Sequence, residues 1–518
     1  MTDAPRLRLP EGFTSEPVSP EPPAGKRNGG PRASAATQLI ELANKRFRFA
    51  RAQEGGDPFA IPLEGPALAW DVLYGDFGDE LARIFFDETG DAASGEAIIA
   101  AIRVIAANAR RSPIEPIGLR VADLPGERAA AVIDLGDARG RAIVVREGAW
   151  EVVDRSPVVF RRTPLTGAMP EPERGGDPAD LGRFVNFDEQ VLPVVLGWML
   201  AVWRPGVPCP FLVLLGGQGT GKSSATRMIA RLVDPSPVED RQPPRDNDAM
   251  IMAAASSRLI TLDNVSSISN ELSDSLCRVC TGGGIVKRTL YKDKTPTVVS
   301  FKRAAILNSI ELSAIRGDFA ERAVFGDLKR IDASARRCED ELAREFAAAH
   351  PRLLGGLLDL FAATLAELPR VVLTEKPRMA DFALLLGAMD AATGADALPT
   401  YLGQEDRVAR DVTEGSPVCQ LLLETVDASG VVRGTAGEIK KAITPAGGSP
   451  KCLSITDKRF GGELRRLSPS LETMGYTVHL PSGNGTDRRV FEIIAPGHSG
   501  VVDEYQVVSE NEIEEGQA

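Results

Sequence analysis

Aromatic side chains, histidine and cysteine are all scarce in this 518-residue chain, with 5% aromatics, three histidines and six cysteines. So lean an aromatic content argues against a stacking-rich nucleic-acid sheet spread over the whole chain. The cysteines, Cys209, Cys277, Cys280, Cys338, Cys419 and Cys452, are scattered instead of forming a disulfide framework, which fits a reducing cytoplasm. Cys277 and Cys280 make a lone CxxC with no second pair, so they read as small buried residues and not as zinc ligands. A long apolar run is missing too. The most apolar segment, Val191 to Trp203, is interrupted by Pro193 and stopped by Arg204, short of the roughly 20 residues a bilayer crossing needs. It reads as a buried helix, and the N-terminus shows no apolar secretory stretch, so neither export nor a membrane is expected. Positive charge is also in deficit. The formal net charge is -12, and six acids without a base between Asp503 and Glu515 supply half of it. That balance opposes long-range attraction to DNA but leaves room for local basic patches.

What is present is ordinary for globular protein, 43% hydrophobic and 25% charged, over a length that predicts several separately packed domains. Residues 1–35 carry seven prolines and few aliphatics, which predicts a flexible arm. Helical spacing, as in Leu81, Ile84, Phe85 and Ile98, Ile102, Ile105, predicts a helical N-terminal module over 36–111. Short apolar runs separated by turn residues predict a small antiparallel β module over 112–165, and a Pro- and Gly-rich stretch predicts a linker over 166–195. Apolar strands alternating with helices predict a parallel α/β core over 196–333, followed by a helical subdomain over 334–412. Three helices and a hairpin over 416–497, with Thr435-Ala-Gly-Glu438 as a capping box, suit a winged-helix domain, and 498–518 is an acidic tail.

The chemistry concentrates in the α/β core. Leu212-Val-Leu-Leu215 runs into Gly216-Gly217-Gln218-Gly219-Thr220-Gly221-Lys222-Ser223 and a helix opening with Ser224, the strand–loop–helix context a phosphate-binding loop requires. Its glycines let backbone N–H groups curl around phosphate, Lys222 reaches the terminal phosphates, and Ser223 offers an oxygen to magnesium, so ATP and Mg2+ are the expected ligands. Leu259-Ile-Thr-Leu262 ends in Asp263, a carboxylate placed to hold the magnesium, followed by Asn264. A glutamate usually orients the attacking water at that position; an asparagine can hydrogen-bond water but cannot take its proton. The strand Ala304-Ala-Ile-Leu307 ends at Asn308, a sensor candidate for the terminal phosphate. Between these strands lies a hairpin tipped by Lys292 and Lys294, suited to following a DNA backbone. Arg316 and Arg322 then compete as an arginine finger, with Arg322 preferred. In the C-terminal unit, Lys458, Arg459, Arg465 and Arg466 fall on the helix that would enter a DNA groove, and Arg378 is a second sensor candidate.

The series GGQGTGKS, LITLDN, the TGGG-to-RTLY hairpin, ILN and RGDFAER resembles the superfamily 3 helicase domain of phage and plasmid primase-helicases, within the AAA+ group. Beyond it, Leu276-Cys-Arg-Val-Cys-Thr-Gly-Gly-Gly284, Pro377-Arg-Met-Ala-Asp-Phe382 and Leu464-Arg-Arg-Leu-Ser-Pro469 are similar to a bacterial and prophage family of ATP-binding proteins related to those helicases. The resemblance implies a homo-hexameric ring that uses ATP to move along or open DNA, beside a primase or replication initiator. The first 195 residues carry no paired-aspartate signature of a primase. An alternative class, a nucleotide-switched DNA-binding regulator with little turnover, follows from Asn264.

Overall fold

The computed structural model describes residues 33–54, 56–265, 268–283, 285–288, 296–299, 301–309, 317–374, 376–404, 416–445, 448–481 and 490–498. The first unit comprises α1 (Ala35–Arg46), β1 (Phe47–Ala52), β2 (Pro58–Pro62), β3 (Trp70–Asp71), α2 (Phe77–Thr89), α3 (Gly95–Ala109) and β4 (Ile114–Glu115). Its sheet runs β3-β2-β1-β4. The expectation of a helical module over 36–111 is therefore corrected to a mixed one. Phe47-Arg-Phe-Ala-Arg-Ala buries Phe47, Ala50 and Ala52 without strict alternation, and Pro58–Ile61 is buried throughout, patterns too short and irregular to outweigh the helical spacing on either side.

An antiparallel meander follows, β5 (Val121–Asp123), β6 (Ala131–Asp134), β7 (Ala142–Arg146) and β8 (Ala149–Val153). The stretch expected to be a linker over 166–195 is instead a packed strap. Met169 is 5% exposed and the Glu173 N–H donates to the Pro351 carbonyl at 2.9 Å. A Cβ on Gly176 would lie 1.8 Å from the Arg352 carbonyl oxygen, so this backbone passes where only glycine fits.

The core opens with α4 (Val191–Val202), whose indoles Trp198 and Trp203 are wholly buried and donate to the carbonyls of Pro210 at 2.7 Å and Val233 at 3.0 Å. Then come β9 (Phe211–Leu215), α5 (Lys222–Val233), α6 (Asn247–Ser256), β10 (Leu259–Val265), α7 (Asn270–Thr281), the antiparallel pair β11 (Ile285–Arg288) and β12 (Pro296–Val299), β13 (Ala304–Ser309), α8 (Gly317–Ala320) and β14 (Ala323–Asp327). The strands β10-β13-β9-β14 form one parallel sheet flanked by helices, a P-loop NTPase-like α/β fold. A buried arginine fastens the meander to this core: Arg120 Nε donates to Asp234 at 2.7 Å, Nη1 to the Asp134 carbonyl at 2.8 Å and Nη2 to the Gly167 carbonyl at 2.7 Å. Asp234, just past α5, also accepts the N–H groups of Arg258 and Leu259, so one carboxylate fixes the end of α5 against the start of β10.

Helices α9 (Glu339–Glu367) and α10 (Ala380–Thr393) pack behind the sheet, and residues 397–404 are helical. The last unit has its own hydrophobic core and the order α11 (Pro417–Ser429), β15 (Val431–Thr435), α12 (Ala436–Ala442), α13 (Asp457–Thr473), β16 (Thr477–His479), β17 (Val490–Ile494), with sheet order β15-β17-β16. Among the described residues, no helix is long and apolar enough to cross a membrane.

Candidate functional site

The five buried residues of β9 deliver the chain into the loop 216–221. Gly219 and Gly221 take left-handed backbone, φ 77° and 81°, and a Cβ on Gly216 would sit 2.7 Å from the Thr220 hydroxyl. Thr220, itself buried, donates to the Gly217 carbonyl at 3.0 Å and closes the loop. Its glycines thus leave the concave side to backbone N–H groups, continuous with the first turn of α5 and its positive end. Lys222 folds over the loop, its ammonium donating to the carbonyls of Gly216 at 2.5 Å and Gly217 at 2.8 Å. Partial burial lowers its pKa from the usual lysine value.

Three adjacent parallel strands bring the other predicted residues to this loop. Ser223 Oγ lies 3.1 Å from Asp263 Oδ1. Asn308, 2% exposed, donates through Nδ2 to the same Asp263 oxygen and accepts the Asn264 N–H on Oδ1 at 2.6 Å. Its amide therefore reads both the carboxylate and the backbone beside it. Asn264 has φ 53°, positive without being glycine, where the β10–β13 register shifts between Leu262 and Val265. Asparagine tolerates that left-handed geometry better than glutamate would, and its side chain points to solvent. Ser223 and Asp263 supply hard oxygen ligands of the kind magnesium takes, and phosphate completes such a sphere.

Two groups at this site escape sequence reasoning. Asp240 belongs to an irregular segment, but a parallel bridge pairs Arg241 with Leu262, and the Asp263 N–H donates to the Arg241 carbonyl at 2.9 Å. Since side chains alternate along a strand, Asp240 falls on the same face as Asp263 but level with Thr261, two residues deeper. Arg227, one turn along α5 from Ser223, holds Asp240 at 3.3 Å and Glu339 at 2.7 Å. Burial pushes the Asp240 carboxyl up, the Arg227 cation opposes this, and Asp263 adds to it. Arg336 places Nη2 3.4 Å from where a Cβ on Gly219 would stand. A single-residue bridge brings Asp240 in, and the irregular stretch after β14 returns Arg336 over Gly219, features without a periodic signature.

Other expected residues stand apart. Arg322 precedes β14 and accepts the Phe211 N–H on its carbonyl at 2.8 Å, so it lies at the start of β9, about 16 Å by strand rise from the loop. It cannot serve its own chain's loop. Lys292, Lys294 and Arg316 lie outside the described residues. Arg378 is exposed ahead of α10. On α13, Lys458 and Arg459 are exposed, Arg465 stands over the Phe491 ring at 5.1 Å, and Arg466 pairs with Glu463.

Residues 179–411 match the family described as actinomycete integrative conjugative element replication protein. No curated protein matches. Among solved structures, the chain is similar to the NrS-1 C-terminal region at 12% identity, covering 89% of this chain and 99% of that one with a TM-score of 0.39. It is similar to the SCCmec type IV Cch active helicase at 10% identity, covering 87% and 93% with a TM-score of 0.43. The JCV helicase is similar at 13% identity, covering 48% and 64% with a TM-score of 0.24.

Proposed function

We propose that this chain is an ATP-dependent DNA helicase or translocase that acts in the replication of a mobile element. The reading rests above all on the Ser223–Asp263–Asn308 network lying beneath a glycine loop at the ends of adjacent parallel strands. The loop N–H groups of 216–221 and Lys222 bind the phosphates, while Gln218, Ser223 and Ser224 complete the cradle. Ser223 and Asp263 hold Mg2+, which neutralises charge on the phosphates when bound. Asn308 senses the terminal phosphate through the oxygen it shares with Asp263. The family matched over 179–411 consists of replication proteins, in keeping with work on DNA.

Arg322 is the finger of a neighbouring subunit, since it is remote from its own loop, and the assembly is a homo-hexameric ring around single-stranded DNA. Lys292 and Lys294 follow that strand. The helix–strand–helix–helix–strand–strand order of the last unit is that of a winged helix, with α13 presenting Lys458, Arg459, Arg465 and Arg466 to duplex DNA. A primase or replication initiator is the expected partner.

The test is ATP hydrolysis with and without single-stranded DNA, using Lys222→Ala as the control. We expect DNA to stimulate the wild type and the variant to be silent in both conditions. Asn264 favours a second reading, a nucleotide switch: tight ATP binding with turnover no faster than Lys222→Ala would replace the motor by that switch.

A further inference from the structure

The segment that leaves β14 runs along the phosphate loop instead of away from it. The Leu328 N–H donates to the Leu215 carbonyl at 2.9 Å, which carries the β14–β9 pairing up to the first loop residue. Beyond that point, Gly216, Gly221 and Gly219 all face this one segment. A Cβ on Gly216 would stand 3.1 Å from the Leu328 carbonyl oxygen, one on Gly221 3.4 Å from Ile331 Cδ1, and one on Gly219 3.4 Å from Arg336 Nη2. Both ends of the segment are fastened. Lys329 donates its N–H to the Asn186 carbonyl at 2.9 Å, and its own carbonyl accepts the Asn186 side-chain amide at 2.5 Å. Arg337 donates to the Arg183 carbonyl at 3.2 Å and pairs with Glu345. Arg336 is thus delivered to the loop by backbone held on either side of it.

The cations of this segment divide by partner. Lys329 faces Asp188 at 3.5 Å and Arg337 faces Glu345, whereas among the described residues the exposed Arg330 and Arg336 have no ion pair. Of these two, Arg336 is the one set against a loop glycine. It also approaches the loop at a different point from Lys222, whose ammonium rests on the carbonyls of Gly216 and Gly217. In a loop of this kind the backbone N–H groups cradle the α- and β-phosphates, and the lysine reaches the β- and γ-phosphates. A guanidinium with no carboxylate of its own, standing over that arc of N–H groups, suits the phosphates the loop holds.

We infer that Arg336 is a nucleotide-binding residue of its own chain that closes over the α- and β-phosphates, so that the site grips a nucleoside diphosphate as firmly through it as a triphosphate. The inference rests on the ATP-site reading above. It sets Arg336 apart from Arg322: a finger from a neighbouring subunit acts on the terminal phosphate, while Arg336 stays with the diphosphate after the terminal phosphate has gone. Its planar fork meets two phosphate oxygens at once, which a lysine, as a point charge, does only in part.

Isothermal titration calorimetry with Mg-ADP and with the magnesium complex of a non-hydrolysable ATP analogue compares wild type, Arg336→Ala, Arg336→Lys and Arg330→Ala, with thermal melts of each in the absence of nucleotide. Arg336→Ala should lose at least about tenfold in affinity for both nucleotides, by the same factor, Arg336→Lys should recover part of that loss, and Arg330→Ala should stay within about twofold of wild type. The melts of wild type and Arg336→Ala should coincide, since Arg336 is exposed and holds no carboxylate among the described residues. Unchanged affinities in Arg336→Ala overturn the inference. A loss confined to the triphosphate analogue also overturns it, because the arginine then reads the γ-phosphate. So does an equal loss in Arg330→Ala, which makes the effect one of general surface charge, or a lowered melting temperature of Arg336→Ala, which makes it one of structure. A wild type that binds neither nucleotide is a different result: it removes the ATP-site reading and this inference with it.

Discussion

At the residue scale, the site is built from short polar side chains that each satisfy several partners, and the charged groups buried outside it set how the fold responds to acid. Asn308 is one such side chain, since truncating it would strand the Asn264 N–H and free Asp263 to move. His350 is the buried titratable group of α9, its ring 5.3 Å from Phe346 and its Nε2 without a partner. Burial, reinforced by the Arg231 cation and opposed by a hydrogen bond to the Arg231 backbone, pushes its pKa down to about 4 from 6.5. The folded chain therefore holds His350 neutral where the unfolded chain would protonate it. Its contribution is fully present above about pH 6.5 and is lost as the pH falls towards 4, amounting to about 3 kcal/mol over that window. Urea melts of the wild type and His350→Gln at pH 7.5 and 5 check this. The wild type should lose clearly more stability than the variant between those values, and parallel losses would refute the assignment.

At the scale of elements, the strap over 166–195 depends on two close backbone approaches to α9. A Cβ on Gly355 would fall 1.7 Å from the Glu173 carbonyl oxygen, and one on Gly176 would fall 1.8 Å from that of Arg352. Alanine at 355 gains about 1 kcal/mol in helix propensity, but overpacking costs about 1–3 kcal/mol, and a backbone oxygen cannot rotate away. Gly355→Ala should therefore destabilise the protein by up to about 2 kcal/mol. Gly462→Ala, on the open side of α13 where nothing lies within 4 Å, should stabilise it by up to about 1 kcal/mol. Thermal melts of the two variants compare these signs. The strap was partly legible in advance, because Gly355-Gly356 together with Pro351 inside one 29-residue helix needs a packing reason. Composition pointed the other way, since a Pro- and Gly-rich stretch reads as slack wherever its partner surface is unknown. The loop from Gly216 to Ser223, Asp263 and Asn308 were legible because each ends a strand of strong apolar character. Asp240 and Arg336 were not, because they reach the site through irregular backbone and a tertiary fold-back that no local pattern encodes.

At the scale of the whole molecule, the proposed work on DNA asks an acidic chain to grip phosphate through a small basic surface, and the structure divides the four cations of α13 unequally. Phe460, Leu464, Leu467 and Leu471 are buried along one side of that helix. Positions 458, 459, 465 and 466 fall together on the other, since seven residues make close to two turns. Yet Arg466 is already paired with Glu463 and Arg465 covers Phe491, whereas among the described residues the Lys458 and Arg459 side chains have no ion pair. Taking a phosphate from solvent costs the first two an existing partner and costs the second two nothing comparable. Each phosphate contact contributes about -0.9 to the slope of log affinity against log salt. Lys458→Ala/Arg459→Ala should therefore flatten the slope by about 2, and Arg465→Ala/Arg466→Ala by clearly less. Fluorescence anisotropy of labelled duplex across a potassium chloride series measures both. Equal flattening would mean that DNA draws all four cations away from their partners, and an unchanged slope in both would move duplex contact off α13 altogether.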